Sequence, residues 1–177
     1  MNRRESIERL SLLLGGALST QVTAGLMGQT LNHGPGIEAS DAQRQLLAEL
    51  AEVIIPTTDT PGAKAAGVEQ FIIRVMRDCY ALDEQKTFYA GVDKLDADCR
   101  SAHGKGFVEL DGAGKQAAVR DTLKSNRPFF AQMRELTVTG YFTSEIGATQ
   151  ALAYLPVPGR FEGDIPLQPG QKTWALR

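Results

Sequence analysis

Histidine, cysteine and tryptophan are scarce in this sequence. Its 177 residues hold two histidines, two cysteines and one tryptophan. His33 and His103 lie far apart in the chain, which leaves histidine-based metal sites and catalytic triads little to work with. Cys79 and Cys99 are too few for a disulfide framework and are not spaced as a metal knuckle. An excess of positive charge is also missing. Nineteen Lys and Arg stand against 21 Asp and Glu, a net charge of -2, so there is no basic footprint for nucleic acid. No Gly-x-Gly-x-x-Gly dinucleotide fingerprint follows a strand pattern. Gly112-Ala113-Gly114-Lys115 lacks the spacing and the following Ser or Thr of a phosphate loop, and reads as a helix-entry turn. Long apolar runs are absent too: Leu10 to Leu18 falls short of the roughly 20 residues that span a bilayer.

What remains is the composition of an ordinary soluble globular chain, 42% apolar and 23% charged. Its opening is organised as an export signal. Met1 to Arg9 is charged, Leu10 to Leu18 is apolar, and a polar, small-residue stretch begins at Ser19. The adjacent Arg3 and Arg4 favour the twin-arginine type over the general secretory type, although Ser6 and Glu8 depart from the usual pattern. Val22-Thr23-Ala24 is a candidate cleavage site. The alternative is an amphipathic N-terminal helix that stays on the protein. Twin-arginine export carries folded proteins, which suits a chain that accompanies a cofactor-bearing partner. The expected organisation is a leader over 1–31, a helical domain over 32–154 and an extended tail over 155–177.

Within the domain the apolar spacing is helical throughout, and an all-α domain of about five or six helices is expected. Ser40 or Asp41 caps a first helix with Leu46, Leu47, Leu50, Val53 and Ile54 on one face; Pro56 ends it. Pro56 to Gly67 is a loop. A second helix runs from Val68 to Tyr80, with Phe71, Ile72, Val75, Met76 and Cys79 on one face. Asp83 is expected to cap a third, which ends near Gly104 and buries Phe88, Val92, Leu95 and Cys99. Phe107 to Leu110 reads as a short docked segment, Asp111 as the cap of a weaker helix through Lys124, and Pro128 as the first turn of a helix carrying Phe129, Phe130, Met133, Leu136 and Tyr141. A last short helix is expected from Ser144 to Ala153.

Two details bear on chemistry. In a helix hairpin turning near Asp83, Cys79 and Cys99 would sit roughly 24 Å apart at 1.5 Å per residue. Bridged α-carbons need about 7 Å or less, so no disulfide is expected. Most carboxylates fall on polar faces: Asp93, Asp96 and Asp98 read as a solvated face. Glu145 stands apart in the aromatic stretch Tyr141-Phe142-Thr143-Ser144, where it either pairs with a buried arginine or caps a helix start. No convergent set of catalytic groups emerges.

From Leu155 onward Pro156, Pro158, Pro166 and Pro169, with Gly159, Gly163 and Gly170, exclude long regular structure. Tyr154, Phe161, Ile165 and Trp174 are nevertheless large and apolar. An irregular tail with such anchors wraps a surface, its own or a partner's.

The stretch Leu50-Ala51-Glu52-Val53-Ile54-Ile55-Pro56-Thr57-Thr58-Asp59-Thr60-Pro61-Gly62-Ala63, with Ala65-Ala66-Gly67-Val68 leading to Phe71, resembles the opening motif of the gluconate 2-dehydrogenase subunit 3 family. Gly140-Tyr141-Phe142-Thr143-Ser144-Glu145-Ile146-Gly147 resembles its second motif, and Tyr154, Pro156, Pro158, Gly159 and Trp174-Ala175 complete the likeness. The resemblance implies a small subunit without catalytic residues or a cofactor of its own. It implies a large partner that binds FAD and oxidises a sugar, sugar acid or polyol. That partner often lacks a signal and is exported with the small subunit, and a c-type cytochrome carrying haem c often takes the electrons. The resemblance thus implies a periplasmic complex, with Pro56, Thr57, Tyr141, Phe142, Thr143, Glu145, Tyr154, Phe161 and Trp174 as candidates for the partner interface and Arg3 and Arg4 as the export signal. Some relatives carry a cysteine near the position of Gly163-Asp164; this chain has none, which removes the basis for a covalent tie there.

Two other readings compete. A self-sufficient periplasmic enzyme would need convergent ionisable groups in a pocket. A stand-alone exported helical binding or structural protein would lack large exposed apolar patches.

Overall fold

The computed structural model describes residues 19–28, 31, 35–153, 166 and 169–173, and its described part is all-helical. The helices are α1 (Thr20–Leu26), α2 (Asp41–Ile54), α3 (Val68–Cys79), α4 (Leu82–His103), α5 (Gly112–Ser125) and α6 (Arg127–Phe142). A 3-10 turn at Phe107–Glu109 joins α4 to α5, and a wide π-type turn at Gly147–Ala151 follows α6. The export-signal arginines Arg3 and Arg4, the tail aromatics Tyr154, Phe161 and Trp174 and the linker histidine His33 lie outside the described residues, whereas residues 19–28 and 31 of the predicted leader are described.

Local chemistry explains most boundaries. The Ser40 hydroxyl accepts from the Gln43 amide while the Gln43 side chain accepts from the Ser40 amide, a reciprocal cap that starts α2. Asp111 accepts from the Gly114 amide and starts α5, so the glycine-lysine stretch is a helix entry. Pro128 sits in the first turn of α6. Gly104 ends α4 with φ 69°, a left-handed conformation that costs glycine little. One cap differs from expectation. Ala81, not Asp83, precedes α4, and its amide donates to the Glu84 carboxylate three residues on. Asp83 instead lies in the first turn, where a negative charge suits the helix dipole.

α2 and α3 lie at the centre. α3 packs on α1, α2 and α6, and α2 also meets α4 and α5. Leu46, Leu47 and Leu50 of α2 share the core with Ile72, Val75 and Met76 of α3, Phe88, Val92 and Leu95 of α4, and Met133 and Leu136 of α6. Close packing needs small residues at two crossings. A β-carbon on Gly91 would lie 2.5 Å from the Phe129 ring, and one on Gly140 would lie 2.7 Å from Phe71. Gln85 is the largest polar group in the core. Its amide oxygen accepts from the Ile37 amide at 2.7 Å, and its nitrogen donates to the carbonyls of Tyr80 and Arg77. It thereby ties the segment before α2 to the α3–α4 corner, a satisfied polar network of the kind that specifies a single packing.

Two expectations at the surface change. Asp96 is no merely solvated carboxylate: it accepts from the Phe107 amide at 2.8 Å and caps the 3-10 turn, while Arg100 pairs with its other oxygen. The helix expected over 144–153 winds instead as the π-type turn, at whose start a β-carbon on Gly147 would overlap the Tyr141 carbonyl.

Candidate partner-docking site

The two motif segments meet in space. Pro56–Gly67 leaves the end of α2, and the C-terminus of α6 lies behind it. Glu52, in the last turn of α2, folds back under the loop. Its carboxylate accepts from the Thr57 amide at 2.8 Å, the Thr57 hydroxyl at 2.7 Å and the Lys64 amide at 3.0 Å. Gly62 passes over this carboxylate with no room for a side chain. The Thr57 hydroxyl accepts from the Gly62 amide, and the Ala63 amide donates to the Ile55 carbonyl. Ala63 is fully buried and anchors the loop in the core. Gly67, at φ 65°, turns the chain into α3.

Tyr141 braces the loop from the other side. Its ring is 2% exposed, and its hydroxyl donates to the Pro61 carbonyl at 2.7 Å. Tyr141 therefore lies beneath the candidate interface, not on it. Its neighbour Phe142 stacks edge-on against it, centroids 5.2 Å apart, and is 40% exposed. Thr143 is exposed beside it, though its hydroxyl donates back to the Thr139 carbonyl. Pro56, Thr57, Thr58 and Asp59 form the exposed rim of the loop. Glu145 is exposed and makes no ion pair among the described residues; the cap next to it is Ser144, whose hydroxyl accepts from the Gly147 amide. Among the described residues Glu145 fills neither role.

The charge pattern is local. The Asp59 carboxyl is held below its ordinary value by the Thr58 hydroxyl, by backbone amides and by the nearby Lys172 ammonium. Lys172 belongs to a short piece of the tail that returns to the domain: its ammonium donates to the Gln150 carbonyl, and the Ala153 amide donates to the Thr173 carbonyl at 2.8 Å. Behind the loop, Glu49 of α2 accepts from Lys115 of α5 at 2.8 Å and also pairs with Lys64. These hydrogen bonds, Lys115 first, hold its carboxyl below the ordinary value.

Among the described residues no group of three His, Cys, Asp or Glu side chains comes together as a metal site. No described helix is long and apolar enough to cross a membrane. His103 is exposed in the last turn of α4, where its ring complements the helix dipole. Burial pushes the Tyr89 phenol up to about 12, which keeps this core side chain protonated. What the arrangement offers is a preformed surface: a short loop, stiffened from below, beside an exposed aromatic ring. Of the interface candidates named from the sequence, Pro56, Thr57 and Phe142 are exposed; the sequence did not single out Glu52, whose only local signal was a carboxylate five residues before Thr57.

The chain matches no curated protein and no solved structure. Its residues 41–159, which contain the braced loop, the end of α6 and the turn beyond, match the family described as gluconate 2-dehydrogenase subunit 3, and the chain belongs to that family.

Proposed function

We propose that this chain is the non-catalytic small subunit of an exported FAD-dependent dehydrogenase of sugars, sugar acids or polyols. Family membership makes it a subunit of a gluconate 2-dehydrogenase type of complex. In this reading the flavin belongs to the large subunit, and a cytochrome subunit with haem c passes the electrons on. The chain holds no cofactor. It stabilises the large subunit and takes it through the membrane to the periplasm by the twin-arginine route, using Arg3 and Arg4.

The observation that supports this best is the loop Pro56–Gly67. Its rim is exposed while its underside is fixed by Glu52 and Tyr141. Ordering a mobile side chain on association costs about 0.5–1.5 kcal/mol, and a loop already held in shape avoids much of that. Phe142 supplies an aromatic anchor of the type that dominates interface energetics. The tail aromatics Tyr154, Phe161 and Trp174 are further interface candidates on sequence grounds.

The test is co-expression with a large FAD-binding dehydrogenase subunit from the same genome. Co-purification, together with loss of flavin loading and of periplasmic location when this chain is omitted, is the expected result. Paired lysine replacements at Arg3 and Arg4 should hold both proteins in the cytoplasm. A large subunit that loads flavin and leaves the cytoplasm normally on its own would refute the reading.

A further inference from the structure

We infer that residues 19–28 are a lasting part of the folded domain, so that the exported protein keeps them and is not cut after Ala24. The inference goes beyond the proposed export by stating where the leader ends, and its structural half does not depend on that export.

α1 is seated, not appended. The Ser19 amide donates to the Glu135 carboxylate of α6 at 2.7 Å, and the Ser19 hydroxyl lies 3.5 Å from the Tyr80 hydroxyl and caps α1. Val22 is 0% exposed and Ala24 4%. Gly25 lies against α3 so tightly that a β-carbon would come within 2.5 Å of Val75. Further on, the Leu31 amide donates to the Asp78 carbonyl at 2.8 Å, so the chain is tied to α3 again at its far end. Small residues at Ala24 and Gly25 look like a peptidase site in the sequence, yet their size is what lets α1 approach α3. The Ala24–Gly25 bond lies inside the helix, spanned by the bond from the Met27 amide to the Thr23 carbonyl. Hydrolysis there, adding water across the peptide bond, requires the helix to open first. It would also strip Val22 from the core and Ser19 from Glu135.

The experiment has two arms on the full chain. In the first, the chain is co-expressed with its flavoprotein, recovered from the periplasm, and its N-terminus determined by intact mass. A first residue at or before Ser19 is expected; Gly25 as first residue overturns the inference. If no chain leaves the cytoplasm, the export reading fails, and the second arm decides this one. There, Val22→Ala is compared with Thr20→Ala, an exposed position on the same helix, by thermal denaturation of the purified chain. Val22→Ala should lower Tm by about 3 °C or more while Thr20→Ala leaves it nearly unchanged. Equal Tm values for the two variants and the parent chain would show that α1 is not part of the cooperative fold.

Discussion

The hydroxyl of Tyr141 donates to the carbonyl oxygen of Pro61 at 2.7 Å, joining two motif segments 80 residues apart in the chain. The ring is buried beneath the loop whose shape it maintains. Tyr141→Phe keeps the ring and removes only that bond. It should cost about 0.5–1.5 kcal/mol in urea unfolding with an unchanged m value. Phe142→Ala should behave oppositely: a modest loss of stability, but at least about tenfold weaker association with the flavoprotein, measured by titration calorimetry.

Glu52 holds three donors, so its removal should be worse. Glu52→Ala leaves the amides of Thr57 and Lys64 without their acceptor and should cost about 1–3 kcal/mol. Glu52→Gln keeps one acceptor oxygen and should fall between the parent and the alanine variant. Chemical denaturation of the three proteins checks the order.

Gly91 and Gly140 separate two opposing effects. Replacing a glycine inside a helix with alanine gains up to about 1 kcal/mol of helix propensity, most of it at Gly91 because Gly140 lies in the last turn of α6. Overpacking a core costs about 1–3 kcal/mol. At Gly91 the new methyl group meets Phe129, itself buried and held against Phe88 with centroids 5.5 Å apart. At Gly140 it meets Phe71, which is only half-buried, at 2.7 Å, and touches the buried Val68 less closely, at 3.2 Å. Gly91→Ala should therefore destabilise, and Gly140→Ala should destabilise less or be neutral, as read from Tm.

Glu49 sets a pH dependence. Its carboxyl titrates below the ordinary 4.5 because Lys115 and Lys64 stabilise the charged form. A carboxyl depressed in the folded state contributes its full stability above the unfolded value and loses it as pH falls through the folded one. Stability of the parent should thus fall from about pH 4.5 downward more steeply than that of Lys115→Met, measured by urea unfolding at each pH.

Both cysteines should be inert while the protein is folded. Cys79 and Cys99 are buried, neither is in a disulfide, and burial pushes both thiols up. Thiolate is the reactive form. A thiol reagent should modify neither at neutral pH within the time that labels both in denaturant, as counted by mass.

The sequence revealed those features whose causes lie within a few residues. Ser40 with Gln43, Asp111 with Gly114, and Gly104 after His103 are self-contained signals, and the apolar stripes of α2, α3, α4 and α6 lie largely where their spacing put them. What it hid depends on distant partners. Asp96 looks like any solvated carboxylate until the chain returns with Phe107. Gln85 gives no hint of being buried until Ile37 and the end of α3 surround it. In the candidate site, the exposed rim at Pro56 and Thr57 was legible from a proline-glycine loop, but the brace beneath it was not. Tyr141 was legible as an apolar position of α6 and equally as an exposed motif aromatic; only the bond to Pro61 decides between these.

The backbone pair between Ala153 and Thr173 carries a practical lesson for recombinant work. The family match ends at residue 159, and trimming the gene there would look harmless. It would discard the acceptor of the Ala153 amide and the lysine that reaches both the Gln150 carbonyl and the field around Asp59. A shortened chain that is to keep these contacts therefore has to run through Thr173.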